Sequence, residues 1–141
     1  MKVSDILSTK GRNVWSIAPG DSVYDAMKLM AAKGVGALMV REGERVVGVI
    51  SERDYARKVI LEGRASPTTE VREIMTSHVL YASPEQSIEE CMAIMTDKRV
   101  RHLPVLEQGR LIGVISIGDL VKAIISEQQF RIEQLEQYIK G

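Results

Sequence analysis

The sequence has few of the residues that bridge, metallate or anchor a protein. A single cysteine, Cys91, stands among 141 residues, so no intramolecular disulfide can form. The two histidines, His78 and His102, bear no spacing to each other or to Cys91 that would make a zinc set, and no metal is expected. Charge of one sign is missing too: nineteen Lys and Arg balance nineteen Asp and Glu, and the pI is near 6.7. A chain without a global field does not hold polyanions or anionic bilayers by charge, which argues against nucleic-acid and membrane partners. No window reaches the ~18 apolar residues of a membrane span, and stretches such as 46–50 are strand-sized. The opening MKVSDILSTKGRNVW lacks the apolar centre of a secretory leader, so a cytoplasmic location is expected. What is present is a 45% apolar composition, enough for one compact unit or two very small ones.

An internal repeat organises those residues. At an offset of 65, residues 14–60 lie over 79–125 without a gap, and 17 of the 47 positions are identical. Pro19 falls on Pro84, Ser22 on Ser87, Met27 on Met92 and Met30 on Met95. Gly48-Val49-Ile50-Ser51 falls on Gly113-Val114-Ile115-Ser116, and Asp54 on Asp119. A weaker match, VSDIL at Val3 against VREIM at Val71, needs an offset of 68.

Each copy has the same grammar. A short segment (14–17; 79–82) precedes a proline, and apolar residues then recur at helical spacing: Val23, Ala26, Met27 and Met30, then Ile88, Cys91, Met92 and Met95. Asp21 or Ser22 can cap the first of these helices, and Gly34 can end it. Two strands follow in each copy, 37–41 with 45–50 and 102–106 with 110–115, joined by Glu42-Gly43-Glu44 and Glu107-Gln108-Gly109 as hairpins. A closing helix runs over 54–62 in the first copy and starts near Asp119 in the second, continuing toward Tyr138. A strand-helix-strand-strand-helix unit of this size cannot bury a core alone, so the copies should share one about a pseudo-twofold axis. The expected architecture is α+β: two pseudo-symmetric β-α-β-β-α repeats packed as one module, with a C-terminal helical extension. The expected divisions are 1–65, 66–126 and 127–141, with linker chemistry at Gly63-Arg64-Ala65-Ser66-Pro67.

The doubled unit, with Gly-hydrophobic-hydrophobic-Ser-x-x-Asp closing each copy and RHLPV before the second hairpin, resembles a tandem cystathionine-β-synthase (CBS) domain pair, or Bateman module. The resemblance covers nearly the whole chain. It implies two pseudo-symmetric clefts that take adenosine-containing ligands, AMP foremost, with ADP, ATP, NAD or S-adenosylmethionine as alternatives. Because the chain contains little besides the pair, a stand-alone regulator is expected, binding a small molecule and acting on a partner protein or on its own homodimer. An enzyme acting on a nucleotide and a structural adaptor with a vestigial cleft are the alternatives. No activated nucleophile or base-orienter pair supports the enzyme.

The residue chemistry can be set beside that family pattern. A carboxylate at a strand end can accept both hydrogen bonds of a ribose cis-diol, and Asp54 and Asp119 are the candidates. Ser51 and Ser116 stand three residues earlier, where hydroxyls and free N–H groups at a helix start can meet a polar ligand. The same Ser-x-x-Asp spacing also makes a capping box, in which Ser caps the helix and the acid reaches back to the cap N–H. The copies differ in charge. Arg101 and His102 stand where the first copy has Gly36 and Ala37, and Arg53 stands where the second has Gly118. By the family pattern, one cleft gathers Val49, Ser51, Arg53 and Asp54 with Val79, Leu80, Arg101, His102 and Pro104, ready for phosphate. The other gathers Val114, Ser116 and Asp119 with Val14 and Trp15, and lacks basic groups. Arg can grip phosphate with two parallel bonds, whereas His adds charge mainly in mild acid. Arg101 and His102 can also be a solvated patch continuing Lys98 and Arg99, and Trp15 can stack on a base or simply pack.

Other features read as structural. Cys91 aligns with Ala26 on an apolar helix face, as a small core residue does. The methionine stripe has core spacing. From Ser126 onward Phe130, Ile132, Leu135, Tyr138 and Ile139 interrupt a charged helix former, a face that wants a partner copy or the rim of the module rather than a bilayer, since the segment is not basic.

Overall fold

The computed structural model describes residues 1–140. Its elements are α1 (Val3–Lys10), β1 (Ser16–Ile17), α2 (Val23–Lys33), β2 (Ala37–Glu42), β3 (Arg45–Ser51), α3 (Glu52–Tyr55), α4 (Val71–Ile74), α5 (Ile88–Lys98), β4 (His102–Glu107), β5 (Arg110–Ser116) and α6 (Ile117–Lys140). Two compact units result. One is residues 14–80; the other joins residues 1–13 to the described residues from 81 on. Each repeat's sheet is therefore completed by a short helix encoded ahead of the other repeat: β5 packs α1, and β3 packs α4.

In the 14–80 unit, Ser22 Oγ accepts the Asp25 N–H at 3.0 Å to start α2, and Gly34 ends it in the left-handed region at φ 66°. The buried face of α2, Val23, Ala26 and Met30, meets Leu38, Val40 and Ile50 of the hairpin together with Val59, Val71 and Ile74. Strand β1 runs parallel to β2, and β2 pairs antiparallel with β3, closing at Glu42 opposite Arg45. The closing helix expected over 54–62 runs over 52–60 and is not α-helical throughout. One α turn is followed by a π-helical turn, Ala56–Ile60, which the Leu61 N–H closes onto the Ala56 carbonyl at 3.2 Å.

The other unit repeats this plan with different residues. Ser87 Oγ caps α5 through the Glu90 N–H at 3.1 Å, and Arg99 takes the left-handed end position at φ 55°. The β4–β5 turn holds Gln108 and Gly109 at φ 51° and 77°, both positive as a type I′ hairpin turn requires. The expected first strand at 79–82 shrinks to one bridge, Ala82 with Val105. Proline explains it. In the first copy the Met39 N–H donates to the Trp15 carbonyl at 3.1 Å; the matched position is Pro104, which has no N–H for Leu80. Helix α1 is fastened by Val3 N–H to the Gln86 carbonyl at 2.9 Å and Ile88 N–H to the Met1 carbonyl at 3.2 Å.

The two matched glycines show why the short helices fit. A Cβ on Gly113 would stand 2.7 Å from Leu7 Cδ2, and one on Gly48 would stand 2.6 Å from Met75 Sδ and 3.0 Å from the Thr76 carbonyl oxygen. Leu7 and Met75 are the last residues of the VSDIL and VREIM match. Glycine is needed at both strand positions so that the helix side chain can lie on the sheet.

Candidate functional site

The strand β3 carries Val49 and Ser51 to the start of α3. Val49 exchanges both backbone hydrogen bonds with Thr76, at 3.0 and 2.9 Å, which fixes the strand end. Ser51 Oγ accepts the Asp54 N–H at 3.2 Å, and Asp54 Oδ2 accepts the Ser51 N–H at 3.0 Å and its hydroxyl at 3.1 Å. In the other unit the Ser116 N–H donates to Asp119 Oδ2 at 2.8 Å and the Asp119 N–H to Ser116 Oγ at 3.1 Å. Both turns are thus capping boxes. The residue before each hairpin adds a matched tie, with Glu52 N–H on the Gly36 carbonyl at 3.0 Å and Ile117 N–H on the Arg101 carbonyl at 2.9 Å.

The two carboxylates are almost equally sheltered, with 15% and 19% of their side chains exposed, yet they are compensated differently. Lys58, one turn along from Asp54, has its Nζ 3.4 Å from Oδ1 and donates to the Ile74 carbonyl at 2.9 Å. Asp119 is bound by Lys10 of α1, whose Nζ reaches Oδ2 at 2.7 Å and the Val114 carbonyl at 2.8 Å. Burial raises the Asp119 pKa, but the Lys10 hydrogen bond, the Ser116 N–H, the Lys10 charge and the Ser116 hydroxyl outweigh it, leaving the carboxyl below its ordinary range. The surroundings of Asp119 are therefore richer in positive charge than the repeat alignment implies. Lys10 lies ahead of the repeated segment and so has no counterpart in that alignment.

His102 begins β4 directly opposite Ser116. Burial, then Lys10 and Arg101, outweigh Asp119 and lower its pKa below 6.5. The expectation that it carries charge in mild acid is weakened accordingly. Pro104 is buried beside it, its carbonyl accepting the Ala82 N–H at 2.9 Å, and Arg101 is exposed. In the 14–80 unit Arg53 is exposed, while Val14, Val79 and Leu80 are half-buried. Lys33 Nζ stands 4.3 Å from the centre of the Trp15 ring, so a cation already covers one face available for stacking. Cys91 is fully buried on α5, and burial followed by Glu90 pushes its thiol up, which is core chemistry rather than that of a nucleophile.

Beside Lys10 and Asp119 a groove of about 1010 Å³ opens between α1 and α6, with Ile6, Thr9, Lys122, Ala123, Phe130 and Arg131 in its lining. Only Asp119 of these residues was legible as a site residue from motifs. Among the described residues no helix is long and apolar enough to cross a membrane.

The CBS domain family matches this chain twice, over residues 3–61 and 71–126. The CBS domain-containing protein CBSX3, mitochondrial, of Arabidopsis thaliana is 40% identical over 149 residues, a match spanning 99% of this chain and 72% of that protein. A solved protein with CBS domains from Burkholderia ambifaria MC40-6 superposes with a TM-score of 0.87 and 54% identity over 91% of this chain and 96% of the other. The CBS domain pair of protein MJ0100, solved with 5′-methylthioadenosine and S-adenosyl-L-methionine, superposes with a TM-score of 0.79 at 21% identity, over 90% of this chain and 98% of that one.

Proposed function

The chain belongs to the CBS-domain family, whose paired domains are generally regulatory, and from that premise we propose that it binds an adenosine-containing nucleotide, AMP foremost, through the turn that carries Asp54. The observation that carries this reading is the contrast between two otherwise matched carboxylates. Asp119 is held by a lysine from outside its own turn at 2.7 Å, and a ribose would have to displace it. Asp54 faces only the longer 3.4 Å contact with Lys58 on its own helical segment. Its Oδ2 is spent on the capping box, and Oδ1 is the atom we assign to the cis-diol. Exposed Arg53 beside it suits phosphate.

The pair of protein MJ0100 carries adenosine compounds on the same fold, which supports the ligand class while leaving its identity to experiment. The regulated target would be a partner protein or the chain's own assembly. Denaturing the purified protein and identifying released small molecules by mass spectrometry tests the class, together with melting in added AMP. A ligand that binds only the native state at a hundredfold excess over Kd adds about 2.7 kcal/mol. Stoichiometric release of an adenosine compound, or a melting shift of that order with AMP, is expected. No release and no shift with any adenosine ligand overturns the reading.

A further inference from the structure

Helix α6 is 24 residues long, and only its first half has a face turned to its own unit: Leu120 is buried, and Ala123, Ile124 and Glu127 are partly covered. A second face runs the length of the helix. Val121, Ile125, Gln128, Ile132, Leu135 and Ile139 follow one another at spacings of 4, 3, 4, 3 and 4 residues, the repeat of a coiled-coil seam. All six are exposed; the apolar five are 43%, 49%, 54%, 62% and 82% exposed in that order. In heptad terms isoleucine fills every a position (Ile125, Ile132, Ile139), and Val121, Gln128 and Leu135 fill d. Isoleucine throughout a with Leu135 at d suits two parallel strands, and Gln128 is the one polar residue in the seam. The flanking charges agree. Arg131 is a g position and Glu136 the e position five residues on, the pair that meets across a parallel in-register dimer. Arg131 reaches only Glu127 on its own helix, at 2.9 Å and 72% exposed, so its guanidinium has donors to spare.

We infer that α6 pairs with α6 of a second copy as a parallel, in-register two-stranded coiled coil over about 27 Å of helix, from Val121 to Ile139. The occupant is a second copy because the apolar seam follows the heptad period and Arg131 and Glu136 are opposite in charge across a twofold axis. This assembly stands independently of the nucleotide reading, since none of its residues is assigned to the ligand.

Sedimentation equilibrium of the full chain tests it. The wild type is expected as a dimer at micromolar concentration, and Ile132→Glu with Leu135→Glu should raise the dimer Kd by about a hundredfold or more, because two apolar pairs are lost and charges meet in the seam. The melting of the monomer should not move, as both positions are exposed. Arg131→Glu alone and Glu136→Arg alone should each weaken the dimer by about tenfold, and the two together should restore it, since only the swap re-forms both opposite-charge pairs. Ile139→Cys should give a disulfide-linked dimer on mild oxidation, because the only other cysteine is fully buried and a parallel register places the two 139 positions together. A monomeric wild type, a double-Glu variant that stays dimeric, a charge swap that fails to restore association, or no cross-link at 139 would each overturn the inference.

Discussion

Gly113→Ala is the substitution whose cost follows most directly from the packing of α1 on β5. The new methyl would stand 2.7 Å from Leu7 Cδ2, 3.2 Å from Cδ1 and 3.5 Å from Cγ, where about 3.8 Å is needed for comfortable carbon contact. Leu7 is 2% exposed and cannot swing into solvent, so either its rotamer or α1 itself must shift. Overpacking of this kind costs about 1–3 kcal/mol, set against roughly 0.5 kcal/mol gained by removing a strand glycine. Leu7→Ala alone should cost about 2–5 kcal/mol through lost burial and the cavity left behind. The double variant is the informative one: truncating Leu7 clears the space the methyl needs, so the two together should cost no more than Leu7→Ala alone. The double-mutant cycle, read from urea unfolding at constant m, should show about 1–2 kcal/mol of favourable coupling. Additivity within about 0.5 kcal/mol would refute the packing of α1 against β5, and with it the exchange of short helices between repeats.

Gly48→Ala should cost about as much or more, because the backbone oxygen of Thr76 at 3.0 Å cannot turn aside as a side chain can; urea unfolding measures it. The Asp119 pKa is depressed in the folded state, so its contribution is present above about pH 4 and lost as pH falls through the folded value. Lys10→Met should therefore cost stability at neutral pH and progressively less in acid, in unfolding curves taken along a pH series. His102 also titrates below 6.5 when folded, so its protonation opposes folding. Stability should fall as pH drops below about 6.5 until the folded pKa is passed, His102→Gln should flatten that slope, and the His102 imidazole NMR midpoint should lie below 6.5. Arg53→Ala should weaken AMP about tenfold to a hundredfold in calorimetry and leave adenosine almost unchanged, as a charged hydrogen bond contributes roughly 1.5–3 kcal/mol; equal losses would place Arg53 in the fold.

The repeat made the hairpins and the cap at Ser22 legible, because those features recur in residues 65 positions apart; the Gly34 terminus was legible from glycine alone, since Arg99 stands at its counterpart. Helices α1 and α4 were visible only as the VSDIL and VREIM match, since eight and four residues are too few for a helical period to declare itself. The missing strand at 79–82 follows from Pro104, whose effect falls on a neighbouring chain segment and not on its own. The Lys10–Asp119 pair joins residues 109 apart, and the offset-68 match puts His78 rather than a lysine over Lys10, so the repeat does not reveal it. The Ser-x-x-Asp turns had two readings from the start. The capping boxes are formed in both units, and the ligand role rests on the remaining oxygen of Asp54.

Calorimetric titration of AMP into the wild type, Asp54→Asn and Asp119→Asn tests the central claim most directly. Asparagine keeps a capping acceptor and nearly the same shape, so the comparison isolates the charge. The account predicts that Asp54→Asn loses about tenfold or more in affinity while Asp119→Asn, relieved of a carboxylate already bound to Lys10, binds AMP almost as the wild type does. Equal losses in both variants, or a loss confined to Asp119→Asn, would contradict it.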